Sequence, residues 1–140
     1  MNIPAVFRKL IADDAAAYAV FADRVYPLHT VDTPTFPLII VTVTSITPST
    51  NKIVPSLVDM VMVQLDIYSD KYSDNCAHAE LVRTAVDMKI GDVTFMGSTI
   101  KMDGVHFDSG SQDFSDIQGS NGQMRIYRHV HNYSVRIKRN

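Results

Sequence analysis

The chain has 140 residues, 46% of them apolar and 20% charged, with 13 basic against 15 acidic side chains and a formal net charge of −2. That length fits one domain spanning 1–140, and that composition excludes wholesale disorder. The charge balance argues against a dedicated nucleic-acid binder with a basic face. Cys76 is the single cysteine, so neither a disulfide within the chain nor a cysteine-based zinc site is available. No apolar run approaches the about 20 residues that cross a bilayer, and MNIPAVFRKLIADD lacks the apolar stretch of a signal peptide. A protein made and kept in the cytoplasm, with no membrane contact, is the expectation.

From Pro4 to Ala22 the chain reads as helix. Pro4 fits a first-turn position, and Val6, Phe7, Leu10 and Ile11 form one apolar stripe. The pair Asp13–Asp14 interrupts that stripe, and either aspartate can cap a second piece running through Phe21. Pro27, Pro34 and Pro37 then forbid regular helix. LIIVTVTSI (38–46) is rich in β-branched residues and predicts a strand. After a polar stretch (47–57), VDMVMVQLDIYS (58–69) predicts a second strand. In it Val61, Val63, Leu65 and Ile67 take one face, and Met60, Met62, Gln64, Asp66 and Tyr68 the other.

Residues 73–90 predict a helix capped by Ser73 and closed by Gly91, with Cys76, Ala79, Val82, Val86 and Ile90 on its buried stripe. Two further strands are expected near 93–107 and 124–138. The first should break at Gly97. The second should hold a bulge, because its apolar face switches between Val130 and Tyr133. The Ser/Gly/Asp-rich stretch between them, 108–123, reads as a long loop of the kind that is often functional. The order α-β-β-α-β-β predicts an α+β fold, a mainly antiparallel sheet of four or more strands with helices on one face.

Chemistry is sparse. His129 and His131 share a strand face and, with His106 as third ligand, define the one conceivable metal site; two half-exposed histidines on an edge strand explain them equally well. SDKYSDN lacks the ligand spacing of a calcium loop. There is no nucleophile elbow and no phosphate-cradling glycine motif, and Cys76 reads as a core residue. No catalytic, metal or cofactor site is therefore assigned. Five basic residues, Arg125, Arg128, Arg136, Lys138 and Arg139, crowd into the last sixteen positions. They offer a nucleic-acid stripe or, more simply, a solvated strand. Against the acids Asp103, Asp108, Asp113 and Asp116, they predict complementary surfaces on opposite sides of the subunit.

The marks RVYP (24–27), FP (36–37), VQLDIYS (63–69) and LVRTAV (81–86) fall in order across the chain. In that order and spacing the sequence resembles the tail completion, or tail terminator, proteins of tailed bacteriophages. The resemblance implies small α+β subunits that form a ring, commonly hexameric, at the head-proximal end of the tail tube. Such a ring ends tube growth and receives the head connector or stopper protein, while DNA passes through its lumen without specific binding. It implies no enzymatic activity and no cofactor, and it places the protein in the virion. An adjacent neck or connector role is the alternative. In this reading Arg24, Tyr26, Pro27, Phe36 and Pro37 anchor the helix-to-strand crossover. Met60, Met62, Gln64, Asp113, Phe114, Asp116, Arg136, Lys138 and Arg139, with the polar segments 47–57 and 108–123, are the candidate ring or partner contacts.

Overall fold

A computed structural model describes residues 2–29, 34–48, 58–95, 97–119 and 122–138. Most of the polar segment 47–57, and Arg139 with its candidate contact, lie outside the described residues. The first helical stretch is two helices, α1 (Ile3–Asp13) and α2 (Ala15–Phe21). The break falls at Asp14, whose carboxylate accepts the Ala17 N–H at 3.0 Å and caps α2. Next come β1 (Val25–Pro27), β2 (Leu38–Pro48), β3 (Val58–Ser69), α3 (Tyr72–Val86), β4 (Gly91–Phe95), β5 (Ser98–Gly119) and β6 (Gly122–Lys138).

The strands form one six-stranded sheet in the order β1-β2-β3-β6-β5-β4, antiparallel throughout except for the short parallel pair β1–β2. This is the α+β arrangement expected, with helices on one face. Val61, Val63, Leu65 and Ile67 of β3 and Tyr133, Val135 and Ile137 of β6 meet Phe7, Ile11, Phe21, Val82 and Val86 in one buried cluster. The period-2 alternation of β3 sorts its side chains: the Val/Leu/Ile row is fully buried beneath the helices, and Met60, Met62 and Gln64 lie half-buried on the other face.

Five sequence expectations are corrected. The stretch read as a loop over 108–123 is strand over its described residues: β5 continues to Gly119 and pairs with β6 up to Gly119–Gly122, and residues 120–121 lie outside the described residues. In the β5–β6 pair the β-bulges lie on β5, where Asp103 and Asp108 are the unpaired extra residues, whereas β6 pairs with β3 without interruption. Helix α3 starts at Tyr72 with Lys71 at its N-cap and no side-chain cap, not at Ser73. It ends at Val86, Met88 takes the positive φ of 63°, and Ile90, expected in the core, is 75% exposed. Cys76 is only half-buried, while Asn75 fills the core position. The Asn75 amide donates to the Ile67 carbonyl at 2.9 Å, so its burial leaves no unmet donor there.

Candidate functional site

The crossover between α2 and the sheet is organised by Arg24. Its Nε donates to the Pro37 carbonyl at 2.8 Å and its Nη2 to the Val20 carbonyl at 2.6 Å. The Arg24 carbonyl in turn accepts the Ile39 N–H at 2.9 Å. One guanidinium thus joins the end of α2, the start of β1 and the chain entering β2 after the cis Phe36–Pro37 peptide. Pro27 ends β1, and Tyr26 is half-buried beside Ile40 in the β1–β2 register. The aromatic–proline marks of the sequence flank this crossover, and among the described residues its side-chain hydrogen bonds come from Arg24.

The open sheet face gathers candidates from distant parts of the chain. Met60 lies opposite Arg136, Met62 opposite Ser134 and Gln64 opposite Asn132 on the β3–β6 pair. Ser134 Oγ donates to the Met62 sulfur at 3.5 Å, and Gln64 Nε2 to Asp66 Oδ1 at 2.9 Å. At the rim of this face Met60, Arg136, Met88 and Ile90 line a groove of about 440 Å³. Met88 and Ile90 stand 74% and 75% exposed, an apolar rim whose Ile90 the sequence had placed on the buried stripe of a helix.

The acidic and basic candidates are not on opposite sides. They face one another across β5 and β6. Arg128 Nε donates to Asp113 Oδ1 at 2.9 Å, with a second contact between Arg128 Nη2 and Asp113 Oδ2, and Arg125 Nε donates to Asp116 Oδ1 at 2.9 Å. Asp103 receives Arg136 at 3.8 Å and Lys138 at 3.6 Å. The hydrogen bonds from Arg128 and Arg125 hold the Asp113 and Asp116 carboxyls below the usual range, and Asp113 raises the arginine in return. The charge complementarity expected between subunits is consumed within one subunit, and the same pairing removes these arginines from any open basic stripe.

Phe114 is 57% exposed at the base of the hairpin formed by β5 and β6. Its ring meets Tyr127 at 6.4 Å, Tyr127 meets Tyr72 at 5.7 Å, and the Arg125 guanidinium lies 4.5 Å from the Phe114 centroid. Tyr72 and Tyr127 were missed in the sequence. They lie some fifty-five positions apart, and only the β5–β6 register, hidden in a polar stretch, brings Tyr127 to Phe114.

The histidines do not form a triad. His129 and His131 point under the helices on a central strand, their rings 5.7 Å apart, whereas His106 pairs with Ser134 on the opposite face and is exposed. His131 is 5% exposed, its Nδ1 lies 3.0 Å from the Tyr133 hydroxyl, and burial, with His129 and Arg83 adding, lowers its pKa to about 4. Burial also lowers His129, whose Nδ1 is enclosed without a hydrogen-bond partner, and raises Tyr133. His131 is thus a buried imidazole and His129 a half-buried one, and both stand on a central strand rather than an edge. Among the described residues no group of three or more metal-ligating side chains converges, and no helix is long and apolar enough to cross a membrane.

No family model matches the sequence, and no curated protein matches it. The fold does have a solved counterpart. A chain in the virion of a native gene transfer agent particle superposes with a TM-score of 0.64 at 13% identity, over 97% of this chain and 94% of that one. At that identity the likeness is one of fold, and it extends over nearly the whole of both chains.

Proposed function

We propose that this chain is a virion structural subunit that acts by assembly rather than by catalysis. It would close the head-proximal end of a tail tube as a ring and offer the surface to which the head connector or stopper protein docks. The observation that carries this reading is the near-complete fold likeness to a chain of a virion particle. The sequence marks that resemble tail completion proteins point the same way, and RVYP and FP among them flank the Arg24 crossover. The polar chemistry of the described residues fits a structural subunit: burial disfavours the charged form of His131, and the acids of the hairpin are tied to arginines.

In this reading the subunit is a single domain whose partners are further copies of itself, the tail tube protein and a head-side connector. DNA passes the lumen without specific binding, because dense unpaired Lys/Arg contacts would grip phosphate. The test is electron microscopy of assembled particles carrying an epitope-labelled chain. Label confined to one ring at the head end of the tail is the expected result. Label at the capsid side of the neck would move the chain to a connector role, and label along the whole tube or shell would overturn the reading.

A further inference from the structure

The two edges of the sheet are each covered over one end only. β1 pairs with Ile39–Val41, and the Leu28 N–H donates to the Val41 carbonyl at 3.0 Å. Among the described residues nothing pairs with the outer side of β2 from Thr42 to Pro48. At the other edge β4 covers Ser98–Met102, and the link from α3 exchanges hydrogen bonds with Val105 through Met88 and Lys89. The Asp87 carboxylate then caps the Phe107 N–H at 3.0 Å. Beyond it, from Asp108 to Gly119, no described strand lies outside β5.

These open runs are diagonal. Leu38, Tyr68, Arg128 and Asp113 align across one end of the sheet, and Pro48, Asp59, Ile137 and Met102 across the other. β1 therefore shields the end of β2 that is level with the open run of β5, and β4 shields the end of β5 that is level with the open run of β2. Three antiparallel steps separate the two strands, so β2 and β5 run in opposite directions. A second copy brought alongside in the plane of the sheet, and slid along the strands, presents its β5 edge to this β2 edge as an antiparallel pair. A row of unpaired N–H and C=O groups is specific for another strand. The acids that would repel one, Asp113 and Asp116, are already neutralised by Arg128 and Arg125.

We propose that copies of this chain join head to tail through these edges, the outer side of β5 (108–119) in one adding antiparallel to the outer side of β2 (42–48) in the next. The proposal deepens the ring reading and rests on it. Two unlike patches meet, so the contact propagates around a ring instead of closing as a twofold dimer. The peptide groups that carry it follow from the bonds already made. Ile39 and Val41 face outward on β2, and the residue inserted at Thr44 shifts that phase to Ile46. Val105 and Phe107 face outward on β5, and the residue inserted at Asp108 shifts it to Gly110, Gln112 and Phe114.

The test uses Ile46→Pro and Phe114→Pro in the full chain, each removing one outward N–H and no bond of the internal ladder. In sedimentation velocity the wild type should form a closed oligomer and each variant should be a monomer over at least a tenfold wider concentration range. An equal mixture of the two variants should give dimers and nothing larger, because each supplies the edge the other lacks. Oligomers that persist in both variants would overturn the edge contact while leaving the virion reading intact. A wild-type chain monomeric at every concentration would also overturn it, and the particle imaging above would then decide the virion reading alone. Should a variant fail to fold, amide hydrogen exchange of the wild type decides. Protection of Ile46, Gly110 and Gln112 that rises with concentration supports the pairing, and unchanged protection overturns it.

Discussion

The body of the sheet and its distal hairpin share two strands but are held by different forces. In the body, β3 and β6 bury Val61, Val63, Leu65, Ile67, Tyr133, Val135 and Ile137 against the helices, and Phe7, Leu65, Ile67 and Tyr133 are fully enclosed. Past the end of β3, opposite Tyr127, the hairpin continues to Gly119 and Gly122 with no third strand beside it. That overhang, five residues on β6, reaches about 17 Å beyond the body. What holds the described part of it, besides the β-ladder, is the cross-strand ion pair of Arg125 with Asp116 and, at its base, an aromatic–guanidinium cluster at exposed positions. A body stabilised by burial is indifferent to salt. An arm stabilised by exposed pairs is not.

The comparison can be broken at graded cost. Phe7→Ala empties a fully buried site beside Tyr133, at a ring distance of 6.1 Å, and should cost about 3–5 kcal/mol, read as a fall in the denaturant midpoint. Acid should attack the body next. The folded state keeps His131 neutral down to a pKa of about 4, while the unfolded chain takes up that proton near 6.5. The unfolded state therefore binds more protons between those values, and stability is full above pH 6.5 and falls as pH drops towards 4. Allowing for residual solvent around the ring, the loss is about 2–3 kcal/mol. His131→Gln should flatten that slope in urea titrations at a series of pH values. The carboxyls of Asp113 and Asp116, held below their usual range by arginine, come into play only at lower pH still.

Arg24→Ala removes two hydrogen bonds to carbonyls at the crossover and should cost about 1–3 kcal/mol. The smallest effect belongs to the arm. Asp116→Ala should leave the global denaturant midpoint nearly unchanged, since its pair with Arg125 is largely solvated. It should speed hydrogen exchange locally in the hairpin, and 0.5 M salt should produce the same local effect in the wild type. A global loss as large as that of Phe7→Ala would erase the distinction between arm and body.

The same contrast explains what the sequence revealed. β3 was legible residue by residue because its alternation of apolar and polar side chains reports a sheet with one covered face. The α1–α2 break was legible because Asp14 has a specific capping chemistry. DSGSQDFSDIQGSNGQ was misread because an exposed strand pair has no apolar period to display. Its signal lay instead in charges opposite one another across the hairpin, Asp113 with Arg128 and Asp116 with Arg125, which cannot be seen before the register is known. Of the contact candidates, Met60, Met62 and Gln64 were placed on the open face by periodicity alone. Tyr72, Tyr127 and the free edges of β2 and β5 depend on strand neighbours, and no local pattern records those.

The measurement that bears most directly on the central claim, function by closed head-to-tail assembly, is sedimentation velocity of the wild-type chain across a wide concentration range, with imaging of the largest species. The account predicts one discrete closed ring, of about six copies if it follows the family it resembles, in equilibrium with monomer. A twofold dimer with no larger species would contradict it, because an interface that joins two like patches cannot propagate around a ring.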